Sequence, residues 1–128
     1  MRKYIIILIS TLFLFSCNSQ NEKLHKDAQK VTDIIIESHD NLDTKIILEN
    51  EFLDSFFEKY PPPLLSGNDK IDNENEELIH LLDYLKTISN LYVNATENLN
   101  EQKAIEYQDK YSELLNRLNE DHNINIHE

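Results

Sequence analysis

Two copies of one spacing stand out among residues able to hold a metal, Glu22-x-x-His25 and Glu77-x-x-His80. On a helix, residues three apart share a face, so each pair could offer one carboxylate and one imidazole to an ion, as in carboxylate-bridged di-iron bundles. Such a site needs both motifs in mid-helix, facing inward, with further Glu ligands from other helices. Glu22 instead lies in a polar stretch, and Glu77 lies near a helix start, where the positive end of the helix dipole accounts for a carboxylate by itself. Glu22, His25, Glu77 and His80 are therefore weak metal candidates, and no cofactor is expected.

Other reactive combinations are weaker still. Asp69, Asp72, Glu74, Glu76 and Glu77 gather oxygen ligands in one loop but lack the alternating pattern and central glycine of a calcium hand, so they read as a solvated helix start. Ser38-His39-Asp40 holds the residue types of a hydrolase triad, yet sequence neighbours on a helix point in different directions and cannot form the relay. No nucleophile elbow, glycine-rich phosphate loop or haem-attachment motif is present. A non-enzymatic protein is expected.

Apolar side chains exceed what one helix stripe needs around Phe52, Phe56, Phe57 and Tyr60, with Leu64 and Leu65 beyond Pro61-Pro62-Pro63. Core packing claims most of them. Phe57, Leu64 and Leu65 are the candidates for an exposed docking patch, because aromatic and aliphatic anchors carry much of an interface's energy.

The chain opens on the cations Arg2 and Lys3, runs through apolar residues from Tyr4 to Phe15 and reaches the small Ser16, the three-part pattern of a secretory signal. Roughly twelve helical residues span under 20 Å, short of a hydrocarbon core of about 30 Å, so a permanent membrane helix is not expected. Leu14-Phe15-Ser16-Cys17 resembles the lipobox of bacterial lipoproteins, with Phe15 the one departure from the usual small residue. The resemblance implies cleavage between Ser16 and Cys17, a diacylglycerol on the Cys17 thiol and an exported, membrane-anchored product. Asn18 is not the Asp that resembles an inner-membrane retention signal, which favours the outer membrane if the cell is Gram-negative. The expected organisation is a signal peptide over 1–16, lipidated Cys17 with a short tether to residue 23, and one domain over 24–128.

Cys17 is the single cysteine, so no internal disulfide or thiolate zinc cluster is available and stability must come from packing. The formal charge is −12, and losing Arg2 and Lys3 with the leader leaves ten basic against 24 acidic side chains, about −14. Such a surface repels phosphate backbones, so nucleic-acid binding is not expected, and basic proteins are the favoured partners. By the same reasoning, the acidic body is expected to be pushed from anionic lipid.

The elements that must position these residues read as helices. Glu74 to Leu99 places Leu78, Leu81, Leu85, Ile88, Tyr92, Ala95 and Leu99 at alternating three- and four-residue steps, widened by Leu82, Tyr84 and Leu91. Continuing that frame would turn Glu106 and Asp109 inward, whereas a frame shifted by two turns Ala104, Tyr107, Tyr111, Leu114 and Leu118 inward. A turn is therefore expected at 98–100, with Asn98 or Asn100 capping the next helix. Leu24, Ala28, Val31 and Ile35 form one earlier stripe, and Ile46, Leu53, Phe56 and Tyr60 form another out of phase with it. Asp43 or Thr44 could cap a second helix, but with no Gly or Pro between the stripes a bent continuous helix is the rival reading.

Pro61-Pro62-Pro63 and Ser66-Gly67-Asn68-Asp69 make 61–72 the longest connection. The fold class expected is all-α: a small antiparallel bundle of four helices, about 22–40, 43–60, 73–98 and 100–121, following the signal peptide. The expected function is a lipid-anchored envelope interaction module binding another envelope protein. The alternatives are an inhibitor or immunity lipoprotein against a basic toxin and, less favoured, a metal-binding bundle.

Overall fold

The computed structural model describes residues 2–64, 71 and 73–127, with side chains from residue 21 onward. It is all-α: α1 (Arg2–Asn41), α2 (Lys45–Leu48), α3 (Glu51–Lys59), α4 (Glu74–Glu97) and α5 (Glu101–His122). Among the described residues no helix is long and apolar enough to cross a membrane.

The order of the helices is antiparallel along the chain, with α4 at the centre. Both α1 and α5 pack on α4, while α2 and α3 close over α1. Leu81, Leu82 and Leu85 of α4 are fully buried, and around them lie Ala28, Val31 and Ile35 of α1, Leu53 and Phe56 of α3, and Leu114 and Leu118 of α5. Each such Leu removed from water contributes about 1.5–3 kcal/mol, and with no disulfide this is the main source of stability.

Asparagines start three of these helices. Asn50 Oδ1 accepts from Leu53 N at 3.0 Å, Asn73 Oδ1 from Asn75 N at 2.9 Å and Glu76 N at 3.2 Å, and Asn100 Oδ1 from Lys103 N at 3.2 Å. Asn100 is thus the cap of α5, and Asn98 closes α4 instead. Asp43 Oδ1 accepts from Lys45 N at 3.0 Å ahead of α2, while the Thr44 side chain makes no capping bond.

The helix expected over 43–60 is two helices, broken at Glu49–Asn50. An extra break resets the phase, so Ile47 is buried and Ile46 only partly so. The α1–α2 junction is a true break, not a bend. Leu42 takes a left-handed φ of 51°, with Leu42 N bonding His39 O at 3.2 Å and Asp43 N bonding Ser38 O at 3.0 Å. This is a Schellman ending built without glycine.

The end of α4 repeats it at Leu99, φ 56°, with Leu99 N on Thr96 O at 3.2 Å and Asn100 N on Ala95 O at 2.9 Å. Leu99, expected inward, is 87% exposed because it lies past the helix end, and Tyr84 and Leu91 also face outward. Residues 21–23, expected in the tether, belong to α1, since no Gly or Pro interrupts the helix there.

A left-handed residue other than Gly costs about 1–2 kcal/mol, part of which glycine forfeits through its freer unfolded chain. Because the Leu99 side chain contributes little packing, Leu99→Gly should raise the unfolding free energy by about 0.5–1 kcal/mol in urea titration.

Candidate functional site

The expected anchor residue, Cys17, falls within the span of α1. The side chains of Ser16 and Cys17 lie outside the described residues, as does Leu65. Leu24 is the first buried side chain of α1 among the described residues. The seven residues back to Cys17 reach about 10 Å as helix and at most about 25 Å extended, so the bundle's near end is fixed in relation to position 17.

That near end collects three chain segments. Asn75 Nδ2 at the start of α4 donates to Asn21 Oδ1 of α1 at 3.2 Å. A cleft of about 470 Å³ beside this bond is lined by Lys23 and Leu24 of α1, Lys59 and Tyr60 at the end of α3, and Ile79 of α4. Lys59, as hydrogen-bond partner and like charge, pulls the Lys23 ammonium below its ordinary value. Beyond Tyr60 the chain leaves through the prolines to Leu64, whose side chain is 100% exposed. Phe57 is different: it lies edge-on to Phe56 with centroids 5.2 Å apart, and Lys86 Nζ sits 4.3 Å from its ring centre. Of the docking candidates, only Leu64 stands free among the described residues.

The four metal candidates do not converge. Arg117 donates to Glu77 Oε1 at 2.6 Å, and His122 Nε2 stands 3.7 Å from Glu77 Oε2, so Glu77 serves an α4–α5 ion pair. His80 lies alongside Tyr84 with centroids 6.2 Å apart, and Glu22 is exposed. His25 Nε2 reaches the carbonyls of His122 and Asn123 at 3.1 and 3.2 Å, closing the end of α5 onto α1. Among the described residues no group of three His, Cys, Asp or Glu side chains could hold an ion.

His25 belongs to a clasp that sequence patterning missed. After Asn123, in the left-handed region at φ 55°, the tail turns along α1. The Gln29 amide pairs with Asn125 as a strand would: Nε2 donates to Asn125 O and Oε1 accepts from Asn125 N, both at 2.8 Å. Asn119 Nδ2 donates to Ile124 O at 2.9 Å, and Ile124 is fully buried. Its isolated Ile-x-Ile pattern was the one available signal. Ile124→Ser, burying a hydroxyl in place of an apolar side chain, should cost about 2–4 kcal/mol in a denaturant titration.

The far end holds a buried polar cluster. His39 lies between Tyr92 and Tyr111, centroids 4.3 and 3.7 Å away, both edge-on, and its Nδ1 has no hydrogen-bond partner. Burial pushes the imidazole below its ordinary value, against the opposing charge of Asp40. Burial likewise holds the Tyr111 phenol well above its usual range. Ser38 Oγ donates to Asp43 O at 2.7 Å, so the Ser38-His39-Asp40 string ends a helix and contains no relay. A wide cleft of about 790 Å³ opens nearby between α1, α5 and the tail, lined by Asp40, Tyr111, Asn116 and His127 among others. Ser112 also lines it, and its hydroxyl accepts a hydrogen bond from Gln108 Nε2 at 3.5 Å.

No protein-family model, curated protein or solved structure matches the chain.

The His39 geometry fixes a sign. Its unfolded value is about 6.5 and its folded value lies lower, so the stability it supports is present above 6.5 and lost as pH falls toward the folded value. The melting temperature should drop as pH is lowered from about 7.5 to 5, and His39→Leu should make that slope shallower.

Proposed function

We propose that the chain is an exported lipoprotein, anchored by acyl chains on Cys17, whose helical body binds another envelope protein without catalysis. The observation that carries this is the run from Arg2 through the apolar leader to Leu14-Phe15-Ser16-Cys17. The helical body adds support of a second kind, since its helices pack around one continuous apolar core of a size suited to an interaction module. Two or three acyl chains give stable anchoring, where one alone binds marginally.

The partner favoured by charge is basic. On α5 the carboxylates of Glu106, Asp109, Glu113 and Glu120 are all exposed. An acidic helix face of this kind steers a basic protein into contact, which also fits an inhibitor of a basic toxin.

In fractionated cells the wild-type protein should pellet with membranes and carry a diacylglyceryl mass on its N-terminal peptide. Cys17→Ala should move it out of the membrane fraction, and an unchanged distribution would overturn the anchor. For the partner, Glu106→Lys, Asp109→Lys and Glu120→Lys combined should slow association on the order of tenfold at low salt, read by crosslinking in intact cells. If the triple change leaves every crosslink intact, the acidic face is not the binding surface.

A further inference from the structure

A fully exposed leucine is ordinary on a protein surface taken alone. Leu64 is not placed alone. It follows Tyr60 and the three prolines at the end of the bundle where Asn21 of α1 meets Asn75 of α4, and that end also carries Lys23 and Lys59, which line one cleft although 36 positions apart in sequence. Neither lysine forms an ion pair within 4.0 Å of a carboxylate among the described residues, although the charge of Asp27 acts on both, in a chain with twice as many acidic as basic side chains. The six residues between Leu24 and Cys17 keep this end within about 25 Å of the acylated position.

We infer that this end is a lipid-docking surface: Lys23 and Lys59 sit on headgroup phosphates of the bilayer that holds the Cys17 anchor, and Leu64 dips among its acyl chains. The inference rests on the lipid-anchor reading and adds an orientation to it. Lysines close to an anionic leaflet are attracted, while the carboxylates of α5 are repelled, so the same field that pushes the acidic body away turns the lysine end inward. Glu74 and Asp121 lie on the His25 side of that end, away from the cleft that Lys23 and Lys59 share, while Asp27 is the carboxylate whose charge acts on the two lysines. The prolines hold the approach to Leu64 extended and free of helix, so the side chain projects instead of folding back.

Cys17 is consumed by acylation and is the single cysteine, so Leu64→Cys provides one thiol for an environment-sensitive fluorophore, with Glu101→Cys at the opposite end as reference. The acylated protein is placed in phosphatidylcholine vesicles containing phosphatidylglycerol. The label at 64 should be severalfold less accessible to aqueous acrylamide than the label at 101, and it should be quenched by nitroxides on the lipid chains. Lys23→Glu with Lys59→Glu should bring it to the reference value. Equal accessibility at 64 and 101, with Cys17 acylated by mass spectrometry, overturns the docking and leaves the anchor standing. Shielding from acrylamide without quenching from the chains marks a protein contact and overturns it too. A Cys17 without lipid removes both readings.

Discussion

Burial of α4 is the constraint on which everything else hangs. A chain with one cysteine and one glycine has neither a covalent staple nor a supply of flexible joints, so its helices must be held by apolar contact and ended by other means. Leu81, Leu82 and Leu85 give α4 apolar contact on a face wide enough for α1 on one side and α5 on the other. Both neighbours pack mainly on α4 and touch each other at His39 with Tyr111 and through the His25 clasp, and an open cleft between them has the tail residues Ile126 and His127 at its edge.

Helix endings are where this economy shows a cost. Leu42 and Leu99 stand in a conformation that glycine would adopt freely, and both are held there by paired backbone bonds. Asparagine does the complementary work at the helix starts, with a short side chain that satisfies free N–H groups at Asn50, Asn73 and Asn100. A buried imidazole between two tyrosine rings carries a similar cost: its cation is disfavoured, so the neutral form is built into the packing around the end of α1.

Much of the fold was legible in the pattern of residues. The stripe Leu24, Ala28, Val31 and Ile35 is buried throughout, and Tyr111, Leu114 and Leu118 are buried in the shifted frame that required a turn before α5. Periodicity reports these because a helix face repeats on a fixed angle. It failed at the 43–60 segment, where a single turn of helix, Lys45–Leu48, is too short to show a period before Asn50 restarts the chain. It also failed at Leu99, since an apolar residue one step past a helix end has the spacing of a core residue and none of its burial.

The sequence by itself determined the class of fold and the acidic balance of the chain, because each is a local property of composition or of a few consecutive residues. Only the tertiary structure decided how distant residues are spent. It turned Glu77 toward Arg117 and His25 toward the end of α5, dissolving a metal spacing that was real on each helix but not shared between them. It also brought Lys23 beside Lys59 in a chain whose total charge pointed the other way. Charge and spacing along a chain are additive, whereas proximity is set by which apolar faces must meet, and that is a property of the packed whole.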